Sequence, residues 1–166
     1  TTLNTRISGS TFDNNYSESC SGGAIYNVGS DSGTNNNMSM TIENSTFTNN
    51  HANSGLGGAI FHNGGTLNII ADGSDTVFTG NTDFHGSNAI YVENGNLNIN
   101  AGNGGSVIFN DAVTFASSGN DVNINYLSEG NAGEAPLGTP VDGTVELNNY
   151  LQNQTLNLYN GTLKLG

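Results

Sequence analysis

Apolar and polar residues alternate in short bursts along most of the chain. Met38-Ser39-Met40-Thr41-Ile42, Thr66-Leu67-Asn68-Ile69-Ile70 and Asn96-Leu97-Asn98-Ile99-Asn100 each put apolar side chains on one face and mostly Asn, Ser or Thr on the other. That period of two marks a strand with one buried face. The alternation persists in Val107-Ile108-Phe109-Asn110, Val122-Asn123-Ile124-Asn125-Tyr126-Leu127, Val145-Glu146-Leu147 and Leu156-Asn157-Leu158-Tyr159. No stretch keeps helical spacing for more than a few residues, so the pattern predicts an all-β chain of short strands. Ser128 to Gly143, which holds both prolines (Pro136 and Pro140), breaks the rhythm and is expected to leave the sheets as a long exposed loop.

Two motifs add a longer period. Phe-x-x-Asn occurs at Phe12-Asp13-Asn14-Asn15, Phe47-Thr48-Asn49-Asn50 and Phe78-Thr79-Gly80-Asn81, at intervals of 35 and 31 residues. Gly-Gly-Ala-Ile-aromatic occurs at Gly22-Gly23-Ala24-Ile25-Tyr26 and Gly57-Gly58-Ala59-Ile60-Phe61, with a degenerate Ser87-Asn88-Ala89-Ile90-Tyr91, at intervals of 35 and 30. A shared order and a shared period signal a repeat architecture. Beyond Asn100 the motifs fade while the alternation continues.

Several short strands per repeat of about 30 residues fit one coil of a solenoid, each strand pairing with its counterpart roughly 4.8 Å away. The predicted fold is a right-handed parallel β-helix, a single-stranded solenoid, with residues 1–166 forming one segment of it. Phe12, Phe47 and Phe78 should then form one interior column and Ile25, Ile60 and Ile90 another. Gly and Ala before each Ile suit a sharp bend with close backbone approach. The last Asn of Phe-x-x-Asn is expected to accept the left-handed conformation of a bend and to hydrogen-bond along its column as an amide ladder. A β-sandwich also has short strands, but it needs no period near 30 residues.

Composition narrows the function classes. Asn occurs 30 times and Gly 24 times, against 2 Lys plus Arg and a formal net charge of -12. Nucleic acid is disfavoured, because phosphate neutralisation needs clustered Lys or Arg, and anionic lipid is disfavoured for the same reason. A lone Cys20 cannot build an intrachain disulfide framework. No basic-then-apolar leader and no apolar run of about 18 residues occurs, and the chain opens in mid-pattern, as expected of a piece of a longer protein.

Phe-x-x-Asn paired with Gly-Gly-Ala-Ile resembles the repeat of the polymorphic membrane proteins of chlamydiae and related autotransporter passengers, over about Phe12 to Asn94. The final Leu156-Asn157-Leu158-Tyr159-Asn160-Gly161-Thr162-Leu163-Lys164-Leu165 looks like the Asn-Gly-Thr-Leu-x-Leu coils near the carboxyl end of many such passengers. The resemblance implies a type V secreted passenger, folded outside the cell as a β-helix that often mediates adhesion.

Parallel β-helices also include pectin-active enzymes, which makes an enzyme the main rival class. A polygalacturonase-like hydrolase needs grouped carboxylates with a His and basic residues. Asn81-Thr82-Asp83 with Phe84-His85-Gly86 resembles such pieces, but here they are contiguous and no adjacent Asp pair follows. Lyases of this fold use Lys or Arg as the base, and Arg6 and Lys164 sit at opposite ends of the sequence. His51, His62 and His85 suggest a metal row only superficially, since their spacing lacks a His-x-x-x-His pattern and they read as surface or turn residues. Asp72-Gly73-Ser74-Asp75 lacks the remaining oxygen ligands of a calcium loop and reads as an exposed turn. No catalytic, cofactor or metal site is assigned.

The expected function is that of a surface-displayed scaffold contacting a host-cell or bacterial surface protein or glycan. It would be anchored to the outer membrane through a part not present in this sequence, would insert no segment of its own into the membrane, and would continue into flanking β-helix coils. Two excursions, Val28 to Asn37 and Ser128 to Gly143, are the candidate contact regions. The alternatives are a carbohydrate-active enzyme of the same fold and a purely structural stalk.

Overall fold

The computed structural model describes residues 3–29, 38–118, 121–126, 142–152 and 154–166, and among them the chain forms strands and turns without a helix. The first coil contains β1 (Leu3–Ser8), β2 (Thr11–Asp13), β3 (Tyr16–Ser17) and β4 (Ile25–Val28). The second contains β5 (Met38–Glu43), β6 (Thr46–Thr48) and β7 (His51–Ala52), and closes with the first half of β8 (Ile60–Asp72). β8 turns a corner at Gly64 and Gly65, both at positive φ, and opens the third coil, which continues through β9 (Thr76–Thr79), β10 (Thr82–Asp83) and β11 (Gly86–Ser87) into β12 (Ile90–Gly102). β13 (Ser106–Phe109), β14 (Val113–Phe115), β15 (Asp121–Ile124), β16 (Thr144–Leu147), β17 (Thr155–Leu158) and β18 (Thr162–Leu165) complete the order.

Stacking the coils produces three sheets. The first runs β1-β5-β8-β12-β15-β17, with β4 joining β8 and β14 joining β12; the second runs β2-β6-β9-β13-β16-β18; the third runs β3-β7-β10-β11. Every named pairing is parallel except β10 with β11, a short antiparallel hairpin that ends the third sheet. This is the expected β-solenoid.

The register explains the repeat. Phe12 pairs with Phe47, Phe47 with Phe78 and Phe78 with Phe109, and the rings stack at centroid distances of 4.6, 4.8 and 4.7 Å within 9° of parallel. The column continues as Leu147 and Leu165. Ile25, Ile60, Ile90 and Val113 form the second column. Ile7, Ile42, Ile69, Ile99 and Ile124 form a third on the first sheet. Together these columns are the core, and Phe47, Phe78, Ile60, Ile90 and Ile99 are fully buried in it. Offset or parallel ring pairs add roughly 0.5–1.5 kcal/mol each beyond the area they bury.

The glycine pair divides its labour. Gly57 is at φ 73°, which favours a residue without Cβ, while a Cβ on Gly58 would lie 2.5 Å from both the Asn88 carbonyl oxygen and the Thr82 nitrogen. In the third coil Asn88 holds the equivalent place. The fourth coil crosses from Phe109 to Val113 without a strand in the third sheet, and the Asn88 amide donates to Thr114 Oγ1 at 2.6 Å.

One local expectation is corrected. The left-handed residue of Phe-x-x-Asn is the third and not the fourth, with Asn14 and Asn49 at φ 54° and Gly80 at φ 72°. The fourth residue serves the amide ladder instead. Of the two predicted excursions, 30–37 and 128–141 lie outside the described residues. Gly143, expected to belong to the loop, is built into the stack: its nitrogen donates to Ala101 O at 2.8 Å and its carbonyl accepts from Thr162 N at 3.0 Å.

Candidate functional site

At the corner that follows the second sheet, a chain of amides runs along the rod. Asn15 Nδ2 donates to Asn50 Oδ1, Asn50 Nδ2 to Asn81 Oδ1, and Asn81 Nδ2 to Asp111 Oδ2, each at 2.8 Å. Each acceptor also takes the backbone N–H of the preceding member, at 3.1, 3.1 and 2.9 Å. The second amide hydrogens of Asn50 and Asn81 go to the carbonyls of Phe12 and Phe47. Asn50 and Asn81 are fully buried, so these bonds satisfy groups that would otherwise be costly to desolvate. Asp111 closes the series. A carboxylate accepts without donating, and this one collects Gly80 N, Asn81 N and Asn81 Nδ2, with Ser87 Oγ at 3.3 Å.

Sequence reasoning missed Phe109 and Asp111 as the fourth members of their columns. The signal was present: Phe109 follows Phe78 by the same 31 residues that separate Phe78 from Phe47, but its motif is one residue shorter and ends in Asp rather than Asn.

A second ladder lies on the opposite face of the first sheet. Asn98 donates to Asn68, Asn123 to Asn98 and Asn157 to Asn123 at 3.0 to 3.2 Å, and Asn68 donates to Ser39 Oγ at 3.2 Å.

The candidate catalytic pieces are built into the scaffold. Asp83 is buried at the base of the terminal hairpin, where Oδ2 accepts Gly57 N at 3.1 Å and Oδ1 accepts His85 N at 2.8 Å. His85 lies 4.0 Å from that carboxylate with a largely exposed ring, and the ring of its neighbour Phe84, 69% exposed, meets it edge-on. Arg6 pairs with Glu43 and Lys164 with Glu146 at 2.7 Å, so the two cations serve different coils. Asp72 bonds Asn103, and Asp75 accepts Ser106 N at 2.8 Å, each holding the next coil.

The three histidines do not meet. His51 stacks on Tyr16 and bonds Thr82 Oγ1 at 2.6 Å, and His85 sits at the hairpin tip. Among the described residues no group of three or more His, Cys, Asp or Glu is placed to hold a metal ion. His62 departs from the expected surface position: it is fully buried, facing inward two residues after Ile60, just as Asn27 follows Ile25. Asn27 Nδ2 donates to His62 Nδ1 at 2.8 Å, which puts the ring proton on Nε2. Nε2 is buried without a hydrogen-bond partner of good geometry.

Burial pushes the His62 pKa down from 6.5 to about 4, against a smaller opposing effect of the Gly65 carbonyl. The unfolded chain therefore binds a proton that the folded chain refuses. His62 stabilises the fold fully above pH 6.5, and this contribution drains away as the pH falls towards 4. The loss amounts to about 3 kcal/mol. Urea unfolding at a series of pH values should show it, and His62→Gln should flatten the profile in that window.

Outside the rod, Tyr26, Phe61 and Tyr91 stack at 5.1 and 5.8 Å, a column on the opposite side of the strands from Ile25, Ile60 and Ile90. Phe61 is covered on both faces and buried, while Tyr26, at the end of the column, is exposed. Burial, and then the Glu93 carboxylate beside it, raise the Tyr91 pKa above its usual value of 10.0 and keep its hydroxyl protonated.

A β-solenoid with inward Phe and Ile columns, amide ladders and an outer aromatic column defines the class of protein. Within that class, the model of the Chlamydia polymorphic membrane protein (Chlamydia_PMP) repeat matches residues 9–28 and 44–63. The match covers the first two copies of the paired motifs and leaves out the third, where Ser87-Asn88 replaces Gly-Gly. Comparisons with curated proteins and with solved structures find no match.

Proposed function

We propose that this chain is part of the surface-displayed passenger of a type V autotransporter, an extracellular rod that acts by contact with a host-cell or bacterial surface protein or glycan. The observation that carries this reading is the registration of the two matched repeats. Residues 9–28 and 44–63 stack residue over residue through Phe12–Phe47, Tyr16–His51 and Ile25–Ile60, so the two matched repeats occupy the same part of two successive coils. A stiff stack of this kind suits the display of side loops and outer columns at a distance from their anchor. Action by contact rather than catalysis is supported by Asp83, whose oxygens are occupied by the Gly57 and His85 amides.

The test is attachment. Beads coated with the chain should bind cultured cells well above uncoated beads, and replacing 128–141 by a short Gly-Ser linker, which leaves Gly143 in the stack, should remove most of that binding. Equal binding after the replacement would move the contact away from that segment, and no binding by the intact chain would favour a spacer. Cleavage of a uronide polymer by the chain, lost in Asp83→Asn, would overturn the contact reading in favour of an enzyme.

A further inference from the structure

Four Asn-Gly dipeptides occur in the sequence, at Asn63, Asn94, Asn103 and Asn160. Asn-Gly is the dipeptide in which the following backbone nitrogen most easily reaches the side-chain amide, because Gly offers no Cβ to obstruct it. The structure treats the four differently.

Three are tied across the coils. Asn63 and Asn94 lie within the long strands β8 and β12, and Asn94 Nδ2 donates to Asn63 Oδ1 at 3.0 Å, so each side chain restrains the other. Asn103 Nδ2 is bonded to the Asp72 carboxylate, whose negative charge also opposes formation of an amide anion nearby.

Asn160 is exposed, and its side chain turns back on its own backbone: Gly161 N–H donates to Asn160 Oδ1 at 2.8 Å. With a carbonyl bond of about 1.2 Å, the Gly161 nitrogen is within about 4 Å of Asn160 Cγ. The backbone is held there from outside, since the Asn160 carbonyl accepts Asn125 Nδ2 at 2.9 Å and Thr162 N bonds Gly143 O at 3.0 Å.

We propose that Asn160-Gly161 is a self-modifying site, at which the folded chain converts Asn160 to aspartate and isoaspartate through a cyclic imide. The Gly161 nitrogen gives its proton to solvent base and attacks Asn160 Cγ; the N–Cγ bond forms, the Cγ–Nδ2 bond breaks, and ammonia leaves with a proton from water. Water then opens either carbonyl of the ring. Opening at Cγ restores the normal backbone with an aspartate, and opening at the backbone carbon sends the chain through the side chain and lengthens it by one methylene. No oxidant, metal or enzyme is required. Either product adds one negative charge to a chain already at -12. The isoaspartate also lengthens the corner that feeds β18.

The experiment is incubation of the purified chain in mildly alkaline buffer, with peptide mapping by mass spectrometry over time. The amide-to-acid mass gain is expected first at Asn160, about tenfold faster than at Asn63, Asn94 or Asn103. In denaturing urea the four rates should converge, because the difference is one of folded geometry. Asn160→Gln, which demands a larger ring, should remove the early acidic species on ion exchange while leaving the other three sites unchanged. Equal rates at all four sites in the folded chain, or faster change at any of the other three, would overturn the proposal.

Discussion

Phe47→Ala is expected to lower the unfolding free energy by about 3–5 kcal/mol. Phe47 is fully buried, with one ring against each face at 4.6 and 4.8 Å, so its removal opens a cavity and ends two stacking contacts at once. The neighbouring strands cannot close that cavity without giving up the coil spacing that every other column shares. Phe12→Ala serves as the control. Phe12 is only partly buried and stacks on one side, so its loss should cost roughly half as much. Urea unfolding followed by circular dichroism measures both. A Phe47→Ala loss no greater than that of Phe12→Ala would show that the interior column does not carry the stability assigned to it.

Asn81→Leu is expected to cost about 3–5 kcal/mol although it makes the core more apolar. The substitution leaves Asn50 N without its acceptor and the Phe47 carbonyl without its donor, and it takes one N–H from the buried Asp111 carboxylate. Leucine replaces none of these bonds. Asn81→Asp makes the sharper comparison, because two carboxylates would then face each other where a donor is required. Its penalty should shrink in acid, as a proton shared between Asp111 and the new carboxylate restores one hydrogen bond. Asn15→Leu, at the exposed start of the ladder, should cost far less. If Asn81→Leu were neutral, the ladder would be decoration on an apolar stack.

These two columns also show how far the fold can be read from sequence. Phe12, Phe47 and Phe78 recur at nearly constant intervals because each must sit over the last, so identity and spacing together disclose the stack. The same logic reaches Phe109, but there the motif shortens by one residue and its amide becomes a carboxylate, because the ladder ends and needs an acceptor that asks for nothing further. The left-handed residue lies one position before the one the motif suggests, since Asn appears at both the third and fourth places and composition cannot tell a bend from a ladder. Gly80, in the third place of the third copy, is the residue that distinguishes them.

The candidate site was less legible. In sequence Asp83 is a carboxylate near a histidine, yet its oxygens hold a corner glycine and a hairpin amide that lie far apart in the sequence or cannot be foreseen as a turn. The burial of His62 was readable in principle, because Ile60-Phe61-His62 alternates like Ile25-Tyr26-Asn27 and places the ring inward with Ile60. Its polarity outweighed its position. The outer column of Tyr26, Phe61 and Tyr91 follows from the same alternation, one residue along.

Residues one coil apart lie over one another in parallel register. Proton–proton nuclear Overhauser effects in a labelled sample measure this directly. Contacts are expected from the Phe47 ring to those of both Phe12 and Phe78, and from the Leu67 backbone to both Met40 and Leu97. Contacts joining sequence-adjacent strands in antiparallel order, with none between these residues, would contradict it.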